Sequence, residues 1–219
     1  MNEVTRRVFI SQDWLTIVII LTIGLIALNK LWKPERFSKI KTLLYNDFYI
    51  NDFSKATILV TNIFTYLFVV INSVIISLLL FIIIDKVFKK QSDFGDFQLF
   101  SIILSSVFGY IIVRAIVGYL LGSLFEFEKE QQYISFLKIS YLNNFSILIL
   151  PLLIISFYTN STLFSYFSIA ISILLLLFYF IKIIKLNQKL IFGSFFYFIL
   201  YLCALEIAPI LLFYKVFIS

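Results

Sequence analysis

The 219 residues are 62% hydrophobic and 14% charged, with a formal net charge of +6. Soluble domains run at about 45–50% apolar and about 25% charged, so the composition excludes an ordinary soluble fold. The basic residues fall in short loops, where they set membrane topology and argue against a nucleic-acid partner.

Six transmembrane spans are expected in one domain covering residues 1–219, an all-α polytopic architecture. The first runs over 14–31. Its flanking indoles, Trp14 and Trp32, are separated by about 27 Å of helix, which suits one anchor at each membrane interface. Upstream, Thr5-Arg6-Arg7-Val8 resembles a twin-arginine export signal, but no small-x-small cleavage site follows, so a retained first helix is expected.

The loop over 33–55 places Phe37, Ile40, Leu43, Leu44 and Phe48 at helical spacing, with Arg36, Lys39 and Lys41 between them. This pattern fits an amphipathic helix lying in the interface with its cations near anionic headgroups. An ordinary connector fits it as well.

The second and third spans, 56–84 and 97–125, would each be about 43 Å long and must tilt, kink or outrun a core of about 30 Å. Span three carries Arg114, followed by Gly118 and Gly122 at four-residue spacing and preceded by Ser101, Ser105 and Gly109. Small residues let membrane helices approach closely, so span three is expected at the centre of the bundle with Arg114 facing protein.

The fourth span, 139–158, contains Asn143, Asn144 and Pro151; the fifth, 163–181, reads as uniformly apolar. Four polar residues, Thr159 to Thr162, join them as a tight antiparallel hairpin. The sixth span, 190–214, holds Cys203, Glu206 and Pro209. The side bearing the odd-numbered loops carries eleven Lys and Arg and the opposite side six, which places both termini outside and the odd loops in the cytoplasm.

Arg114 and Glu206 are the charged residues of the span interiors. An intramembrane charge is costly and marks a functional candidate by default, with its partner to be named. The two lie with an axial offset of roughly 10 Å under this topology, which tilt, Asn143, Asn144 or water could bridge. Pro151 and Pro209 each remove a backbone donor and free a carbonyl one turn earlier. At Pro209 that carbonyl falls beside Glu206, where it could help hold a cation or a proton path. A buried ion pair locking two helices explains the same residues.

Histidine is absent and Cys203 is the single cysteine. This inventory rules out an intrachain disulfide, histidine-held haem or zinc, and Ser-His or Cys-His nucleophile pairs. No G-x-S-x-G, H-E-x-x-H, phosphate loop or EF-hand loop occurs, so neither an enzyme nor a cofactor or metal site is expected. The functions left open are a non-enzymatic scaffold or assembly partner and a small ion- or proton-coupled carrier built on Arg114 and Glu206. The expected partners are the lipid bilayer and a membrane protein or second copy of the chain.

The C-terminal stretch Tyr201-Leu-Cys-Ala-Leu-Glu206-Ile-Ala-Pro209, Arg114, the Asn144 to Pro151 segment and the region Phe37–Phe48 together resemble the bacterial integral-membrane family termed domain of unknown function 4271. The resemblance covers nearly the whole chain. It implies a polytopic protein of the bacterial inner membrane and carries no activity, ligand or catalytic residue with it.

Overall fold

A computed structural model describes residues 13–46, 48–53, 63–86, 95–124, 128–159 and 161–186. All the regular structure there is helical: α1 (Asp13–Trp32), α2 (Pro34–Lys41) running into a 3-10 turn (Thr42–Leu44), α3 (Phe48–Phe53), α4 (Ile63–Lys86), α5 (Asp96–Leu124), α6 (Glu128–Thr159) and α7 (Thr162–Leu186). Five of these, α1 and α4 to α7, are long and apolar enough to cross a membrane, as befits a multi-pass membrane protein. The expected sixth span, with Cys203, Glu206 and Pro209, lies outside the described residues.

Local chemistry explains the helix ends. Asp13 and Asp96 sit in the first turns of α1 and α5, and Lys30 and Lys185 in the last turns of α1 and α7, each complementing the helix dipole. Pro34 opens α2 near a position whose amide has no helical partner to lose.

α4 is described from Ile63 onward, and the expected start at 56 lies outside the described residues. One span differs from the sequence expectation. α6 begins at Glu128, eleven residues before the expected 139. Hydropathy detects only the part of a helix that lipid surrounds, and 32 residues make about 48 Å of helix, well beyond a core of about 30 Å. The polar first turns of α6 therefore project beyond the apolar layer. They still pack, because Ile134, Phe136 and Leu137 are buried.

The centre of the bundle is α4, which contacts α1, α5, α6 and α7. Phe64, Phe68, Ile71, Ile75, Leu78 and Ile82 form its buried stripe at the three- and four-residue spacing of one helical face. Among the described residues the third span is not the central one. Only 17% of the apolar window of α5 is buried, against 44% for α4 and 50% for α6. Glycines alone do not place a helix; its neighbours must offer a surface that fits them.

At one end of the bundle Trp14 packs its ring against Phe81, Phe97 and Phe100, at centroid distances of 5.8, 5.8 and 5.2 Å. This partly buried indole ties α1 to α4 and α5. Trp32, at the opposite end of α1, is 57% exposed.

α6 and α7 form the expected antiparallel hairpin. Ser156 Oγ donates to Ser165 Oγ (3.0 Å) near the turn, and Tyr179 Oη donates to Asn144 Oδ1 (2.5 Å) several turns deeper. The seam of α7 is not uniformly apolar: Ser165, Ser168, Ser172 and Tyr179 are its buried residues. Ser168 and Ser172 return their hydroxyls to carbonyls one turn earlier at 2.9 and 2.7 Å. Their small side chains let the two backbones approach closely.

Candidate functional site: a polar core beneath a docked strap

Residues Pro34–Phe53, here the strap, link α1 to the segment leading into α4. Their apolar stripe is turned away from lipid. Phe37, Ile40, Leu43, Tyr49 and Ile50 are each at most 4% exposed, and α2 packs against α1 and α6. Phe37 stacks on Phe68 of α4 at 6.4 Å, and Tyr49 on Phe136 of α6 at 5.7 Å. The amphipathic pattern marks a helix that docks on protein. A helix this short gains more from a preformed apolar surface that also supplies hydrogen bonds than from lipid, which supplies none.

Helix C-termini leave carbonyls without intrahelical donors, and here the bundle provides them. Asn144 Nδ2 of α6 donates to Ile40 O (2.5 Å) and Lys41 O (3.2 Å). Lys182 Nζ of α7 donates to the carbonyls of Leu43 and Leu44, both at 3.4 Å. Tyr179 holds the Asn144 carbonyl oxygen from the other side. One asparagine thus joins the strap, α6 and α7.

Beside it, Asn143 points to α4. Asn72 Nδ2 donates to Asn143 Oδ1 at 2.8 Å, and Ser146 Oγ donates to Asn72 Oδ1 at 2.7 Å. Asn72, Asn143, Asn144 and Ser146 are all at most 3% exposed. The Asn-Asn dipeptide works as a fork because consecutive helical positions diverge by about 100°, so one amide reaches α4 and the other the strap and α7. Among the described residues, the buried side-chain atoms with no hydrogen-bond partner are the amide nitrogen and oxygen of Asn29 on α1.

The candidate residues are therefore distributed unevenly. Asn143 and Asn144 are the centre of the network, and none of their hydrogen bonds goes to Arg114. Arg114 lies partly exposed on α5 between exposed Val113 and Ala115, and Glu206 falls outside the described residues with Pro209. Pro151 is exposed inside α6, which continues through it to Thr159. Gly118 faces α6: a Cβ built there would come within 2.6 Å of Gln131 Nε2, whereas Gly109 has open space around it. Gly122 lies on α5. Asn72 and the α7 serines are site residues that sequence reasoning missed. The available signal was an amide at the middle of an otherwise apolar span, and serines at i, i+3 and i+7.

Burial pushes the Tyr49 phenol from its ordinary 10.0 up to about 12, against the nearby positive charge of Arg36 and a hydrogen bond with Ser140. The unfolded phenol ionises near 10 and the folded one only near 12. The stabilisation is fully present below pH 10 and is lost as pH rises through about 12. At about 1.4 kcal/mol per tenfold, the span is on the order of 2–3 kcal/mol. Denaturation curves of wild type and Tyr49→Phe should accordingly converge between pH 10 and 12; a constant gap over that range would refute the assignment.

Chemically, the arrangement supplies neutral amides, hydroxyls and one ammonium, all engaged in helix-to-helix or helix-to-strap bonds. No curated protein and no solved structure matches the chain. The family model described as Domain of unknown function (DUF4271) matches residues 15–217. Together with the membrane-spanning helices, that match over nearly the whole chain places this protein in the DUF4271 family.

Proposed function

We propose that the chain is a non-enzymatic scaffold or assembly partner of the bacterial cytoplasmic membrane, with both termini outside and the strap on the cytoplasmic side. One observation supports this reading above the others: the polar side chains beneath the strap are bonded to each other and to strap carbonyls. A transport or catalytic centre needs polar groups that exchange partners with a ligand, and these hold a shape. The membrane-protein partner, or a second copy of the chain, would meet the lipid-facing helices. The charge excess of the odd loops supports the orientation.

The competing reading, an ion- or proton-coupled carrier, rests on Arg114 and Glu206. Reconstitution into proteoliposomes with an internal pH dye separates the two. The scaffold reading expects no proton flux, a lower unfolding temperature for Glu206→Gln, and partial recovery when the two charges are exchanged. A pH-dependent flux that Glu206→Gln abolishes without loss of stability would establish the carrier instead. For orientation, a reporter fused after Ser219 that is active only in the cytoplasm would reverse the assignment.

A further inference from the structure

The strap end of the bundle collects exposed cations. Lys30 and Lys33 flank Trp32 at the end of α1, Lys41 closes α2, and Lys185 ends α7; all four are exposed. None forms an ion pair among the described residues, where the one salt bridge joins Lys39 to Asp52 at 2.7 Å. Lys182 brings the end of α7 against the strap's 3-10 turn, so Lys41 and Lys185 belong to the same rim. At the opposite end of the bundle α1 and α5 begin with Asp13 and Asp96 and α4 ends with Asp85 and Lys86, while α6 begins at the strap end with Glu128, Lys129 and Glu130.

Two further features set the depth of this rim. Trp32 and Tyr45 bracket the strap and are 57% and 85% exposed, and such aromatic rings settle where headgroups meet acyl chains. The strap's apolar stripe is already buried in the bundle, and Glu35, Ser38 and Lys41 are among the outward residues of α2, with Lys33 just before it. Lys41 Nζ lies 5.4 Å from the centroid of the Phe37 ring, which holds that ammonium at the strap surface.

We propose that this rim, Lys30, Lys33, Lys41 and Lys185 around Trp32, is a docking surface for the headgroups of anionic phospholipids, selecting them from neutral lipids by charge alone. Insertion of an amphipathic helix would make binding depend on apolar area and membrane curvature. The buried stripe of a docked strap is not available for insertion, so the preference depends on ionic strength and on the number of cations.

The test uses the full chain in bilayers of phosphatidylcholine and phosphatidylglycerol, with one of the two brominated as a tryptophan quencher. Trp14→Phe leaves Trp32 as the remaining tryptophan, since the sequence contains two. Quenching should show a preference for phosphatidylglycerol that falls about fivefold for each lysine changed to glutamine. It should disappear in 0.5 M salt and survive Asp13→Asn with Asp96→Asn at the far end. Equal quenching by the two lipids, or a preference retained when all four lysines are glutamine, would overturn the proposal. So would a preference seen only for an acidic polypeptide, which would assign the rim to a protein. If Trp14→Phe does not fold, the wild type in neutral detergent serves: phosphatidylglycerol should raise its unfolding temperature above that in phosphatidylcholine, and the quadruple variant should lose the difference. No difference in the wild type would equally reject the inference.

Discussion

Asn144→Leu should destabilise the protein by about 2–4 kcal/mol, the largest expected loss from any single polar side chain described here. The substitution removes the donor to the Ile40 and Lys41 carbonyls and the acceptor of the Tyr179 hydroxyl. Two magnitudes bracket the result. Intramembrane side-chain hydrogen bonds average only about 0.6 kcal/mol by double-mutant cycles, because the unfolded chain in lipid finds other partners. A buried group left without any partner costs about 1–3 kcal/mol. The second figure sets the upper part of the range, since Ile40 is 0% exposed and its carbonyl would keep only the backbone N–H of Thr42 as a donor. Tyr179→Phe removes a single bond and should cost about 1 kcal/mol. Because the two residues share that bond, the double variant should lose less than the sum of the singles. Equilibrium unfolding in mixed micelles measures all three; Asn144→Leu within 0.5 kcal/mol of wild type would show that the network does not hold the strap.

Phe68→Ala is expected to be comparably severe, at about 3 kcal/mol, through a different mechanism. Phe68 is fully buried, meets Phe64 edge-on at 5.0 Å and stacks with Phe37 at 6.4 Å. It therefore joins the central helix to the strap. In water-soluble cores, truncating a buried phenylalanine costs about 3–5 kcal/mol, part for transfer from water and part for the cavity. A membrane helix that unfolds into lipid loses little of the transfer term, yet the void still deprives its lining of dispersion contacts. The lower end of the range is thus the better expectation. Hydrogen exchange supplies a second readout. Amides of Glu35–Leu44 should exchange faster in Phe68→Ala than in Phe64→Leu, which keeps most of the volume. Uniform acceleration across all helices would instead mean that the strap is not selectively attached through this ring.

The two substitutions act on one structural idea from two sides. Asn144 secures the strap through directional bonds at the C-terminal end of α2, and Phe68 through packing on Phe37 earlier in that helix. Fixing the strap in this way leaves its cations on the outer rim and its apolar residues inside, the division on which the proposed lipid surface depends. A scaffold role is compatible with such rigidity, because a partner binds a preformed surface without bearing the entropy of ordering it.

How much of this was legible from residues alone follows from which interactions are local. Span existence is a local property: about 20 apolar residues with few charges cannot be anything else in a membrane. Trp14–Leu31, Phe97–Phe125 and Leu163–Ile181 accordingly coincide with α1, α5 and α7 to within a few residues at most ends. The hairpin between α6 and α7 was equally readable, since a four-residue connection permits no other arrangement. Asn143 and Asn144 stood out as costly amides in an apolar run.

Which faces meet could not be read in the same way. Lipid and protein interior are similarly apolar, so a helix of leucine, isoleucine and phenylalanine has no side that points inward by solvent preference. For that reason α4, with little sequence punctuation beyond Asn72, Ser73 and Ser77, takes the central place, while the glycine-bearing α5 lies at the margin. The amphipathic strap was visible as a pattern, but lipid and a neighbouring helix satisfy that pattern equally. Its choice follows from the amide of Asn144 and the ammonium of Lys182, which arrive from 104 and 139 residues away along the chain and give its terminal carbonyls the donors that a bilayer lacks.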